Sequence, residues 1–141
     1  MNLKKVEEIL NKVLNKTWDL GVTFKTEGDL LTASANITTK SIDDGIFFKV
    51  GVFESSAFFI TFVLDKIEYS NYVSKLIYDF NAHSKWLNAY IREDGYLIIE
   101  YAIRYTSEDI LEANIDFLLE EFVCEDCMKY LKPLADETHA E

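Results

Sequence analysis

Four runs of period-two alternation, set between stripes of helical period, constrain this chain more than any other feature of its sequence. Leu3, Val6, Ile9, Leu10, Val13 and Leu14 recur at helical spacing behind an Asn2 cap. From Trp18 the period becomes two, through Trp18, Leu20, Val22 and Phe24, and it resumes after Glu27-Gly28-Asp29 with Leu31, Ala33, Ala35 and Ile37. Asp43-Asp44-Gly45 marks the next turn. Ile46, Phe48, Val50 and Val52 follow, then Phe58, Ile60, Phe62 and Leu64 beyond Glu54-Ser55-Ser56. Alternation of this kind buries one face of each strand, and short turns between the runs make the strands antiparallel neighbours.

Helical spacing returns with Val73, Leu76, Ile77 and Phe80, capped by Ser70 or Asn71. A strand over Trp86–Arg92, the turn Glu93-Asp94-Gly95 and a strand over Tyr96–Tyr105 form a hairpin. Thr106-Ser107-Glu108-Asp109 opens the last helix, which buries Leu111, Ile115, Leu118 and Phe122. Its next stripe positions are Glu125 and Asp126, so it should bend or stop near Cys124. A short second piece with Cys127, Tyr130 and Leu131 is expected, closed by Pro133. The order helix–four strands–helix–two strands–helix defines an α+β fold: an antiparallel twisted sheet with helices packed on one face. Residues 1–134 read as a single domain and 135–141 as a disordered acidic tail.

A chain of 141 residues buries about two-thirds of its extended surface, so its core needs neither disulfide nor metal. Glu7 and Glu8 stand where a secretory signal needs an apolar run, and the apolar stretch Ala57 to Leu64 is too short to span a bilayer. With two cysteines only, a cytoplasmic location is expected. The 25 acidic residues outnumber the 14 basic ones, a net charge of −11 that argues against nucleic acid and anionic membrane as partners.

Little in the sequence points to catalysis. Cys124-Glu125-Asp126-Cys127 has no second cysteine pair to complete a zinc site, and His83 and His139 are the only histidines. A redox dithiol of the thioredoxin kind sits at a helix N-terminus. This pair, read as lying late in a helix and bracketing two acids that disfavour thiolate, is expected to be plain reduced thiols. The five glycines match no phosphate-binding pattern, and the acid pairs fall in turns or on the last helix. No catalytic residue, metal site or cofactor is expected. The last helix carries eight acids between Ser107 and Leu131 against Lys129 alone, which reads as a solvated face before it reads as a site for a basic partner.

Strand parity supplies the sharper expectation. One set of residues, including Phe48, Val50, Phe58, Ile60, Phe62, Leu87, Ala89, Leu97 and Ile99, should face the helices. The opposite set includes Phe47, Lys49, Phe53, Phe59, Thr61, Val63, Trp86, Asn88, Tyr90, Arg92, Tyr96, Ile98, Glu100 and Arg104. A solvated sheet face reads mostly polar, whereas this one interleaves aromatics with a few charges, as interface cores do. Phe47, Phe53, Phe59, Trp86, Tyr90, Tyr96 and Ile98 are therefore the candidate protein-binding residues. Phe59, Trp86 and Tyr90 are the expected anchors, and the dimer interface is the competing use of this face.

The run Tyr78-Asp79-Phe80-Asn81-Ala82-His83-Ser84-Lys85-Trp86, with Asn88-Ala89-Tyr90-Ile91, Asp94-Gly95 and Glu100-Tyr101, resembles the YbjN-like family. That family is similar in fold to the small, acidic, dimeric class I chaperones of type III secretion. The resemblance implies a non-enzymatic, chaperone-like protein-binding or regulatory module that forms a homodimer. The alternatives are a small-molecule-binding or enzymatic domain with a pocket between helices and sheet, and an acidic inhibitor engaging a basic partner.

Overall fold

The computed structural model describes residues 1–42, 45–103 and 106–139. Helix α1 (Leu3–Leu10) starts at Asn2, whose carboxamide oxygen accepts from the amides of Lys4 and Lys5. It continues as a wider π-wound stretch over Asn11–Thr17. Four strands follow, β1 (Thr23–Glu27), β2 (Leu30–Ile37), β3 (Ile46–Phe53) and β4 (Phe58–Ile67). Helix α2 (Asn71–His83), capped by the Ser70 hydroxyl, leads to β5 (Asn88–Ile91) and β6 (Tyr96–Ile103). Two helices, α3 (Glu108–Val123) and α4 (Glu125–Asp136), and a two-residue strand β7 (Thr138–His139) end the described chain.

The strands form one antiparallel sheet in the order β1-β2-β3-β4-β6-β5. Three hairpins build its first four strands. From β4 the chain crosses through α2 to β5 at the far edge, and β6 returns into the gap beside β4. All helices lie on one face, where α1 meets β2 and β3, α3 meets α1, α4 meets α3 and α2, and α2 covers β5. The architecture is thus the α+β arrangement expected from the periodicity. The helix-facing residues of the central strands, Phe48, Val50, Phe58, Ile60, Phe62, Leu97 and Ile99, are buried as parity requires. Phe62 of β4 stacks on Phe122 of α3, with ring centroids 3.7 Å apart and planes within 1°.

Three expectations are corrected. Trp18 and Leu20 alternate with Val22 but lie outside a strand. The Trp18 indole N–H donates to Asp116 of α3 (2.7 Å), which holds the ring against the helix layer. Asp19 and Gly21 then take positive φ, of 54° and 67°, so extended pairing cannot begin before Thr23. Pro133 does not close the last helix, because α4 runs through it to Asp136. The segment after 134 is no frayed tail as far as His139: β7 pairs with Lys66 and Ile67 of β4. It occupies the part of β4 that extends beyond the β3 pairing. The Asp43-Asp44 turn, Arg104 and Tyr105 lie outside the described residues.

Two asparagines fasten helix ends to the strands that follow. Asn15 accepts from the Val22 amide (2.7 Å) and donates to the Val22 carbonyl (3.4 Å). Asn81, near the end of α2, accepts from the Ala89 amide (2.7 Å) and donates to the Ala89 carbonyl (3.0 Å). Ser84 accepts from the Leu87 amide in the same way (3.0 Å). These bonds occupy main-chain groups on the open side of β5 that an incoming strand would need. Asn81→Ala removes both of its bonds and leaves the buried Ala89 main chain unpaired. A loss of about 1–3 kcal/mol is expected by urea denaturation, with a smaller loss for Asn81→Asp, which keeps only the acceptor. Equal stability of Asn81→Ala and the wild type would show that the clamp contributes nothing.

Candidate functional site

The face of the sheet away from the helices divides in two. Over β1 and β2 it is polar, carrying Lys25, Glu27, Thr32, Ser34 and Asn36. Over β3, β4, β6 and β5 it is aromatic and aliphatic. Register sets the neighbours: Phe47 lies opposite Val63, Lys49 opposite Thr61, Gly51 opposite Phe59, Val63 opposite Ile98, and Ile98 opposite Tyr90. All of these except Gly51, with Arg92, Tyr96 and Glu100, line a shallow depression of about 570 Å3.

The centre of the patch is packed. Ile98 is 1% exposed although it belongs to the face away from the core, because flanking aromatic and long side chains cover it. Phe59 lies over Gly51, where a Cβ would collide with Cε1 and Cζ of the ring. Glycine is needed there for close approach, since its φ is ordinary. Phe53 sits farther along, 6.4 Å from Phe59 between ring centroids, beside a second depression of about 340 Å3. Phe47 is 41% exposed at the rim.

Four of the ten residues lining the patch, Lys49, Thr61, Arg92 and Glu100, are polar or charged, and three of them are engaged. Glu100 accepts from the Thr61 hydroxyl (2.8 Å) and from the Tyr90 hydroxyl (3.3 Å). Burial, and then the charge of Glu100, push the Tyr90 phenol above its ordinary pKa, since both disfavour phenolate. Arg92 makes a two-pronged pair with Asp94 (2.9 and 2.8 Å) and stands, like Lys66, 5.6 Å from the Tyr96 ring centroid.

The structure gathers six of the seven sequence-predicted residues, Phe47, Phe53, Phe59, Tyr90, Tyr96 and Ile98, on this face. Trp86 is the exception. It lies in the bend between α2 and β5, before pairing begins at Asn88, and its ring meets Phe117 of α3 edge-on at 5.4 Å. Parity counted back from Tyr90 fails beyond the first residue of the strand. Trp86 instead overhangs a cleft of about 640 Å3 between the end of α2 and the α3–α4 corner, where His83 stacks on Tyr130 at 4.1 Å.

Both cysteines line that cleft, and here the sequence reading missed a feature. α3 ends at Val123, so Cys124 is the N-cap of α4 and the pair opens a helix instead of lying late in one. The signal was the same break in the apolar stripe at Glu125 and Asp126 that predicted the bend. Much of the charge on α3 is used internally. Glu108 accepts from the Asn2 amide (2.9 Å) and pairs with Lys5 (3.3 Å), and these hold its carboxyl below the usual range. Glu112 pairs with Lys12 (3.1 Å), and Asp116 receives Trp18.

Among the described residues no group of three or more metal-ligating side chains is assembled, and no helix is long and apolar enough to cross a membrane. Compared with known proteins, the chain matches no family model and no curated protein.

Two measurements follow from the patch. Gly51→Ala should cost about 1–3 kcal/mol as an overpacked site, and much less in a Phe59→Ala background, where the colliding ring is gone. Additive losses in that double-mutant cycle would rule the contact out. Tyr90 holds its proton more tightly folded than unfolded, so its contribution to stability is full below the unfolded value of about 10 and falls as pH rises through the folded one. Absorbance titration should show a phenol ionising above the ordinary tyrosine range that Tyr90→Phe removes. The assignment fails if the two curves coincide after loss of one ordinary tyrosine.

Proposed function

We propose that the chain is a non-enzymatic, cytoplasmic protein-binding module that holds a segment of a partner protein across the outer face of its sheet. The observation that supports this most is the contiguous patch from Phe47 to Tyr96, which sets Phe59, Val63, Tyr90 and Ile98 among a few polar groups on a face that a sheet with helices on one side normally leaves to water. Side-chain bonds from Asn81 and Ser84 occupy the neighbouring β5 edge, which favours a segment lying over the strands above one that extends the sheet. The occupant we propose presents two or three apolar side chains to Phe59 and Tyr90 and a carboxylate to Lys49. A YbjN-like, chaperone-like role agrees with such a use.

The module acts as a homodimer in this reading, formed through α2, where Tyr72 and Tyr78 are exposed. That leaves the sheet face to the client. Consumption of Glu108, Glu112 and Asp116 within the fold weighs against an acidic inhibitor helix. The cleft under Trp86 supports the small-molecule alternative, and binding assays separate the two.

Peptides selected from a displayed random library against the immobilised chain should be apolar with an acidic residue. The Phe59→Ala, Tyr90→Ala double variant should bind them at least about ten-fold more weakly, on the order of 2 kcal/mol. Trp86→Ala and Lys25→Ala should leave binding unchanged, and light scattering should give twice the chain mass for every variant. Unchanged affinity of the double variant, or loss of its dimer, would refute the client face; weakening by Trp86→Ala alone would move the site to the cleft.

A further inference from the structure

The cysteine pair plays no part in the sheet face, and its geometry carries a separate reading. Cys124 caps α4 with extended backbone, φ −67° and ψ 156°. The Cys127 amide donates to Cys124 Sγ (3.4 Å), and the Cys124 thiol donates to the Glu121 carbonyl (3.1 Å). The two thiols therefore share one turn, with the first sulfur at the amide end of the helix. Both border the cleft of about 640 Å3, which opens to solvent and admits a small molecule. The pair is asymmetric: burial, with Cys124 and Glu121 adding to it, pushes the Cys127 thiol up to about 12. Cys127 keeps its proton at neutral pH, and Cys124 is left as the attacking sulfur.

We propose that Cys124 and Cys127 form a reversible intramolecular disulfide by exchange with a low-molecular-weight disulfide that enters the cleft. Cys124 thiolate attacks one sulfur of that disulfide, forming a mixed disulfide and releasing one thiolate, which takes up a proton. Cys127 then attacks Cys124 Sγ, its proton passes to the second leaving sulfur, and the Cys124–Cys127 bond closes. The dithiol loses two hydrogens and the small disulfide becomes two thiols, so atoms and electrons balance. Glu121 and Asp126 border the cleft together with Lys85 and Lys129, and Glu125 follows Cys124 in the first turn of α4. Closure ties down the α3–α4 corner beside Tyr130. None of this rests on the sheet-face reading.

The test exposes the reduced full chain to about ten-fold molar excess of cystamine, quenches with acid and measures intact mass under denaturing conditions. The wild type should lose two hydrogens as a single chain, retain no adduct and recover both with dithiothreitol. Cys127→Ser should keep one cysteamine adduct, mapped to Cys124. Cys124→Ser should gain adduct about ten-fold more slowly or worse. A wild type that stays reduced, stops at a mixed disulfide or links two chains overturns the proposal. So does a Cys124→Ser variant that reacts as fast as Cys127→Ser.

Discussion

The stack of Phe62 on Phe122 joins the two layers of this molecule, and most other features take their position from it. β4 is central in the sheet and α3 central among the helices, so one buried aromatic pair ties the middle of each layer to the other. Fully burying a Phe side chain contributes roughly 1.5–3 kcal/mol, and the stacked geometry adds to it. More consequential is what the pair dictates about β4. With Phe58, Ile60 and Phe62 committed to the helices, Phe59, Thr61 and Val63 must point the other way. The outer patch is the obligatory complement of the core, and only its chemistry was free to vary. A core-facing strand ordinarily alternates with polar residues, and here β3, β4, β6 and β5 set Phe, Val, Ile and Tyr among the polar Lys49, Thr61, Glu100 and Asn88.

That division was legible in the sequence because period two survives every substitution that leaves a strand intact. Both faces of the four central strands follow from counting, and six of the seven candidate residues fall where parity puts them. Counting failed where the strand was assumed to extend past its true start. Trp18 and Trp86 are both large apolar residues two positions or more before pairing begins, each at a helix exit, and each packs on α3. Alternation over three or four residues does not separate a strand from a helix exit whose side chains happen to point at the core. The outcome differs for function: Trp86 leaves the proposed client face and becomes the wall of a cleft.

The carboxamide clamps were not legible at all. Asn15 to Val22 and Asn81 to Ala89 span seven and eight residues, beyond the reach of any local turn or capping pattern. Asparagine can satisfy an amide and a carbonyl of one extended residue at once, as a neighbouring strand would. Asn81 thereby fixes how α2 sits against β5 and closes part of an exposed edge. The asparagine and serine in the run from Tyr78 to Trp86 have structural work of this kind.

Net charge is a poor guide to what the outer face can hold. Most of the acidic surplus lies on α3 and α4, across the thickness of the sheet from the patch, and charges farther apart than about 8 Å are largely screened at physiological salt. Close to the patch stand Lys49, Lys66 and Arg92, and the carboxylate among them, Glu100, already accepts two hydrogen bonds. Arg92 is largely answered by Asp94. What remains among the described residues is little positive charge beside the many contacts on which binding to a phosphate backbone draws. It is enough to favour one carboxylate at the rim of an apolar segment. The chain as a whole is acidic, with a net charge of −11, while the basic groups beside the patch suit the acidic segment proposed for it. The same separation of layers leaves the cysteine cleft among side chains of both signs, Glu121 and Asp126 with Lys85 and Lys129.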